Sequence, residues 1–320
     1  MAILPPDPIY LLRGDMGPVH SLLFRVSPYI EHLYAAAESG KIHIWDLRRN
    51  KVFSKFIVGK NPCLNLHIIG DERLITQEKG GTVNLWNPSK AIWVQEKSID
   101  TGYCGFCRSQ MLSEDILLVP LKESSIGAFS LKTCSIEYKL EPSQLTEGAT
   151  NLGEVMTLKP IVLQDKELVL ISYESGDIAL WDISAKKVIN WLKVESCPMA
   201  VEFDMSHMRG IVGSPTEKLQ VFDLSKTHVL SLKTTLTLKN PGTSVITTRP
   251  DAKVFTAGGW DGRLRIFSWK TLRPLVVLDQ HRATILDVVY SNSKVEAYDS
   301  KCVMAAAGKD GTVSLWNLYN

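Results

Sequence analysis

The sequence predicts an all-β chain folded as one seven-bladed β-propeller over residues 1–320, its ring closed by an N-terminal strand on the last blade. Three observations predict this. An apolar–x–apolar–aromatic motif recurs seven times, a turn signal stands at a fixed distance before it, and a spare strand precedes the first copy.

The seven copies are KIHIW ending at Trp45, TVNLW at Trp86, SIGAF at Phe129, DIALW at Trp181, KLQVF at Phe222, RLRIF at Phe267 and TVSLW at Trp316. Residues one and three before each aromatic are apolar in every copy. That period of two belongs to a β-strand with one face buried, whereas a helix would space its apolar residues by three and four. The aromatics are 41, 43, 52, 41, 45 and 49 residues apart, close to the length of a four-stranded propeller blade.

Five residues before each aromatic stand Gly40, Gly81, Ser124, Gly176, Glu217, Gly262 and Gly311. Asp261-Gly262 and Asp310-Gly311 read as tight two-residue hairpins with both central residues at positive φ. Ser124 and Glu217 replace the glycine and predict looser turns in copies three and five. Upstream of each turn lies another strand-like run, such as Leu33–Ala37 or Val303–Ala307, often built of small residues. Weaker runs such as Val19–Phe24 and Ile285–Tyr290 precede those, and runs such as Lys51–Ile57 follow the aromatic. Each unit is therefore four antiparallel strands. Such a sheet cannot bury both its faces alone, and radial stacking does it. The last copy lacks an outer strand, and Ile9–Leu12 is free to supply it, which would leave no unpaired edge at the seam.

Composition is that of an ordinary globular chain, with 45% hydrophobic and 22% charged residues. Thirty-six Lys and Arg against 34 Asp and Glu leave a net charge of +2, too small an excess to predict direct nucleic-acid or membrane binding. No apolar run approaches the roughly 18 residues of a membrane span. The start, MAILPPDPIY, has no basic n-region and its prolines interrupt any h-region, so no secretory signal is expected. Six sparse cysteines fit reduced thiols and a cytoplasmic or nuclear location.

No phosphate-cradling G-x-x-x-x-G-K-[ST], dinucleotide G-x-G-x-x-G, zincin H-E-x-x-H or nucleophile elbow G-x-S-x-G is present. The pair Cys104 and Cys107 forms a lone C-x-x-C. Structural zinc needs four ligands, and no second pair lies near it in sequence. The reading is therefore no catalytic residue, no cofactor and no metal. Trp260 occupies a turn beside Asp261, where an exposed aromatic would face a partner. Arg263 and Arg265 lie two apart and are expected to point the same way, either as a cationic spot or as partners of acids on the adjacent blade. Two stretches exceed the repeat, Glu141–Glu154 and Ser291–Lys301, and read as spacers or partner-binding loops.

Trp45-Asp46 and Trp181-Asp182 spell the dipeptide of WD repeats. His281, Asp310 and Trp316 resemble the hydrogen-bonded set of that repeat, although Ala305–Ala307 replace the serine or threonine expected on the inner strand. Gln280 stands where glycine is usual. The run from Asn240 to His281, with PPDPIYLLRG, GFCRS at Gly105–Ser109 and RGIVGS at Arg209–Ser214, resembles the guanine nucleotide-binding protein β-subunit-like protein one family and the related ASTRA-associated WD-repeat proteins. The resemblance spans essentially the whole chain. It implies a non-enzymatic adaptor linked to the co-chaperone machinery that stabilises phosphatidylinositol-3-kinase-like kinases. A chromatin-associated reader of histone tails or remodelling complexes is the alternative. A G-protein β-like signalling role is less favoured: the helix that pairs with a γ subunit has no counterpart before the first blade, where Pro5, Pro6 and Pro8 stand.

Overall fold

A computed structural model describes residues 5–70, 73–89, 92–142 and 151–318. Seven four-stranded antiparallel sheets follow one another along the chain. In blade one the strands are Val19–Val26, Glu31–Ala37, Lys41–Asp46 and Lys51–Ile57, numbered from the axis outward. Each of the seven aromatics lies on the third strand of its blade and is buried.

The core is divided into seven apolar clusters, one in each gap between neighbouring blades. Trp181 packs between blades three and four, Phe222 between four and five, and Trp316 between six and seven. No blade owns a core; each borrows half of two. Burying one such aromatic is worth about 2–3 kcal/mol, available only while the neighbouring blade is in place. The small second strands follow from this crowding: Ala35 to Ala37 and Ala305 to Ala307 have no accessible surface.

The ring closes as the sequence predicts. Tyr10–Arg13 pairs antiparallel with Thr312–Trp316, in register Tyr10 with Leu315 and Arg13 with Thr312, and becomes the outer strand of blade seven. Leu12 is fully buried in the cluster between blades seven and one.

The turns differ from expectation. Gly262 donates its N–H to Gly259 O while Gly259 donates to Arg263 O, so three residues, 260–262, form the loop; Gly311 likewise donates to Gly308 O, and the last strand pair there is Ala307 with Val313. Only the glycines are left-handed, at φ 75° and 76°; Asp261 and Asp310 are not. Asp310 Oδ1 instead accepts the Thr312 N–H at 3.1 Å, and Asp261 Oδ1 accepts the Arg263 N–H at 3.2 Å. The aspartate therefore serves the turn through its side chain, and the two-residue hairpin reading is corrected. Copy three has a tight turn after all, with Glu123 and Ser124 both left-handed at 59° and 57°. Copy five is open: Ser214 and Thr216 hydroxyls brace residues 214–218, and no residue from 214 to 217 is left-handed.

Ser291–Lys301 is neither a spacer nor a free loop. It forms an isolated bridge between Val295 and Ser300 around a single 3₁₀ turn, Glu296–Tyr298. Glu31, from blade one, accepts the Glu296 and Ala297 N–H groups at 2.9 and 3.1 Å, and the Tyr298 hydroxyl donates to Asn50. The loop straps blade seven to blade one. The other long stretch, Glu141–Glu154, has its centre, 143–150, outside the described residues.

Candidate functional site

Strand direction alternates within a blade, so the hairpins between strands two and three fall at the same end of the ring as the links between blades. His281, Asp310, Trp260 and Asp261 all lie at this end.

The hydrogen-bonded set of blade seven is complete, but its hydroxyl comes from an unexpected place. Trp316 Nε1–H donates to Ser314 Oγ at 2.8 Å, and Ser314 Oγ lies 2.8 Å from His281 Nε2. His281 Nδ1 is 3.1 Å from Asp310 Oδ2. A carboxylate only accepts, so for a neutral imidazole Nδ1 carries the proton and Nε2 accepts from the serine. Burial raises the Asp310 carboxyl, but hydrogen bonds from His281, the Arg282 N–H and Thr312 outweigh it. They hold the group well below the usual carboxylate range.

Ser314 stands two residues before its aromatic, and its counterparts are His43, Asn84, Gly127, Ala179, Gln220 and Arg265. This position faces the same side of the sheet as the aromatic, where a polar side chain can reach the turn or the inter-blade link. Asn84 donates to Glu78 at 3.0 Å, and Gln220 accepts the Glu195 N–H at 2.8 Å. Arg265 grips Asp261, Nη1 to Oδ1 at 3.1 Å and Nη2 to Oδ2 at 2.6 Å. In blade two the Trp86 indole donates to Thr76, on the second strand, at 3.0 Å.

This placement corrects the pairing expected for the two arginines. Arg265 is only 6% exposed, and its acid is Asp261 of its own turn, not one on the adjacent blade. Arg263 lies before the strand, not on it; it is part-exposed and reaches Asp261 Oδ2 at 3.5 Å. Asn240 also donates to Asp261 at 2.7 Å. Burial raises the Asp261 carboxyl, but Arg265, Asn240 and the Arg263 N–H together hold it far below the usual range.

On this clamped turn sits Trp260, 42% exposed. The Trp260 ring covers Gly242, where a Cβ would come within 2.2 Å of the indole, and the Trp260 backbone N–H donates to Gly242 O. Thr284 donates to Trp260 O at 3.3 Å, which sets the next inter-blade link, with exposed Arg282, alongside. The result is a half-exposed aromatic packed on Gly242, on a turn that Asp261 ties to Arg263 and Arg265, a geometry suited to a protein contact.

At the axis, Arg108 was missed by sequence reasoning. It precedes the innermost strand of blade three, Gln110–Met111, and its guanidinium crosses the channel. Nη1 meets Asp287 Oδ1 at 2.6 Å, and Nη2 donates to His20 O at 2.6 Å and Leu286 O at 2.9 Å. Asp287 is buried, and its other oxygen accepts the Leu22 N–H at 2.7 Å. One side chain thus braces blade three against the seam between seven and one.

The lone C-x-x-C divides: Cys104 is exposed, while Cys107 is buried between blades three and four, where burial pushes its thiol up. Among the described residues no group of three or more His, Cys, Asp or Glu is placed to hold a metal ion. No helix among them is long and apolar enough to cross a membrane.

Residues 272–317, the outer strand of blade six and the three inner strands of blade seven with their hydrogen-bonded set, match the WD domain, G-beta repeat. Over 98% of its length the chain is 30% identical to guanine nucleotide-binding protein subunit beta-like protein 1 of Mus musculus, covering 97% of that protein. It is 25% identical to ASTRA-associated protein 1 of Schizosaccharomyces pombe, covering 98% of this chain and 99% of that one. The corresponding protein of Verticillium alfalfae is 23% identical, over 98% and 93%. With seven aromatic-bearing blades, a latched seam and similarity from end to end, the chain belongs to the guanine nucleotide-binding protein subunit beta-like protein 1 family of WD-repeat propellers.

Proposed function

We propose that this chain is a non-enzymatic scaffold that works in the cytoplasm, the nucleus or both, linked to the co-chaperone machinery that stabilises phosphatidylinositol-3-kinase-like kinases. Its partners are proteins, with no G-protein γ subunit, membrane or direct nucleic-acid contact among them. The observation that carries the reading is the Trp260 turn. A large aromatic is held half in solvent on a turn clamped by Asp261 and Arg265, with its ring over Gly242. Polar groups around it serve the fold and leave no converging acid, base and nucleophile for chemistry. End-to-end similarity to proteins named ASTRA-associated protein 1 supports a role within an assembly.

The test is quantitative mass spectrometry after affinity purification of the full chain and of a Trp260→Ala, Arg263→Glu double variant. Kinase-maturation chaperones should be enriched with the unmodified chain and fall by about tenfold or more with the variant. Histones or remodelling subunits alone would replace this reading with the chromatin-reader alternative. Undiminished recovery by a variant with an unchanged melting temperature would remove the Trp260 turn as the contact.

A further inference from the structure

At the end of the ring opposite Trp260, a cleft of about 510 Å³ opens between blades one and two. Its aromatic wall combines Tyr29, at the tip of the first hairpin, with Phe53 and Trp93. Tyr29 is 89% exposed and Phe53 60%, although both are large apolar side chains. Phe53 is held in place by a tilted stack on His32, ring centres 4.8 Å apart, and Trp93 by a stack on Phe56 at 5.5 Å. These rings are pre-positioned, so little side-chain entropy is lost when something covers them.

The rim of the cleft is cationic. Arg25, Arg48 and Arg49 line it against two acids, Glu31 and Asp46. Both acids are already committed to backbone donors. Glu31 is buried and takes the Glu296 and Ala297 N–H groups, and Asp46 Oδ1 takes those of Arg48 and Arg49 at 2.9 and 3.3 Å. The arginines touch these carboxylates only loosely: Arg48 Nε to Glu31 at 3.4 Å and Arg49 Nε to Asp46 at 3.8 Å. Arg49 remains 80% exposed. Exposed Lys51 and Lys55 alternate with Phe53 on the flanking edge strand. Arg48 Nη2 also donates to Pro28 O at 3.1 Å, while Arg49 extends into solvent; the local field is positive and suits carboxylates.

We propose that this cleft docks an acidic peptide segment of a protein partner, one carrying a large apolar side chain among its carboxylates. The apolar residue seats against Tyr29, Phe53 and Trp93, and flanking carboxylates meet Arg48 and Arg49. The site lies across the ring from the Trp260 turn, so two partners can be held at once. The proposal rests on the scaffold reading only for the ligand being a polypeptide.

The experiment is selection of a random phage-displayed peptide library on the purified full chain, followed by titration of the selected peptides. Selected sequences should concentrate Asp and Glu around a Trp, Phe or Leu. Their affinity should fall about tenfold or more with Arg48→Glu, Arg49→Glu, and fall also with rising salt. Tyr29→Ala, at a nearly free side chain, should weaken binding severalfold and guards against misfolding of the charge-reversed variant. Arg263→Glu, at the opposite end, should change nothing. Selection of non-acidic sequences, failure to select any, or equal binding by the variants overturns the cleft as an acidic-peptide site. None of these outcomes depends on which proteins co-purify with the Trp260 turn, so the two readings fail separately.

Discussion

Blades one and seven meet at the seam of the ring and carry the same strand motif, yet they anchor their tryptophans differently. Blade one contains the dipeptide Trp45-Asp46, whereas blade seven reads Trp316-Asn317. It is blade seven that has the full chain of hydrogen bonds from indole to serine to imidazole to carboxylate. In blade one, Trp45 Nε1 and both nitrogens of His43 are buried without a hydrogen-bond partner among the described residues. The second-strand residue that could have served Trp45, as Thr76 serves Trp86, is Ala35. The dipeptide marks the strand; the residue two places earlier decides whether a network exists. A buried unpaired donor costs free energy, so blade one relies on packing and on the strap from blade seven.

Breaking the seam itself should have the largest effect. Deleting residues 1–13 removes the outer strand of blade seven and the fully buried Leu12, and leaves Thr312–Trp316 as an open edge. The melting temperature should fall by at least about 10 °C in a calorimetric scan, and an unchanged curve would refute the closure.

Acid should then weaken blade one and its neighbour blade two, which hold His43 and His67. Burial, aided by Lys55 and Lys41, lowers the His43 pKa from 6.5 to about 4, and burial lowers that of His67 to about 4 as well. Each folded-state pKa lies below its unfolded value, so the unfolded chain takes up protons first. Their stabilising contribution is complete above the unfolded value and is lost as pH falls through 6.5 toward 4. It amounts to about 3 kcal/mol per group at most. Denaturant titrations at neutral and acid pH should show this loss, and His43→Ser, which gives blade one the residue of blade seven, should remove the His43 share of it.

Ser314→Ala should cost about 1–3 kcal/mol, because Trp316 Nε1 loses its acceptor and His281 its neighbour in a dry site. The reciprocal Ala35→Ser offers Trp45 an acceptor and should stabilise by up to about 1 kcal/mol. Should Ser314→Ala prove neutral in a chemical melt, the contrast between the blades would be one of geometry without energy.

The blade number, the buried aromatics, the turn positions and the closing strand were legible because each rests on a local signal of period two or on a residue's φ. Ser314 escaped because the hydroxyl was sought on the second strand, while the register places its own strand's residue beside His281. Arg265 was misread for the same reason: it occupies the Ser314 position of blade six, so it turns inward to Asp261. The docking of 291–301 depends on Glu31, far away in sequence, and no spacing rule connects them. The cleft between blades one and two combines residues from three hairpins and has no linear signature.

Arg108 has a bearing on how the molecule is made. Its carboxylate partner, Asp287, follows it by 179 residues. During synthesis, therefore, the first three blades leave the ribosome with a guanidinium on their inner wall whose carboxylate partner does not yet exist. Water has to stay in that half-built wall until the seventh sheet arrives. Pairing of Arg108 with Asp287 and completion of the circle are then one late step, which favours a nascent arc that stays loose until its end is delivered.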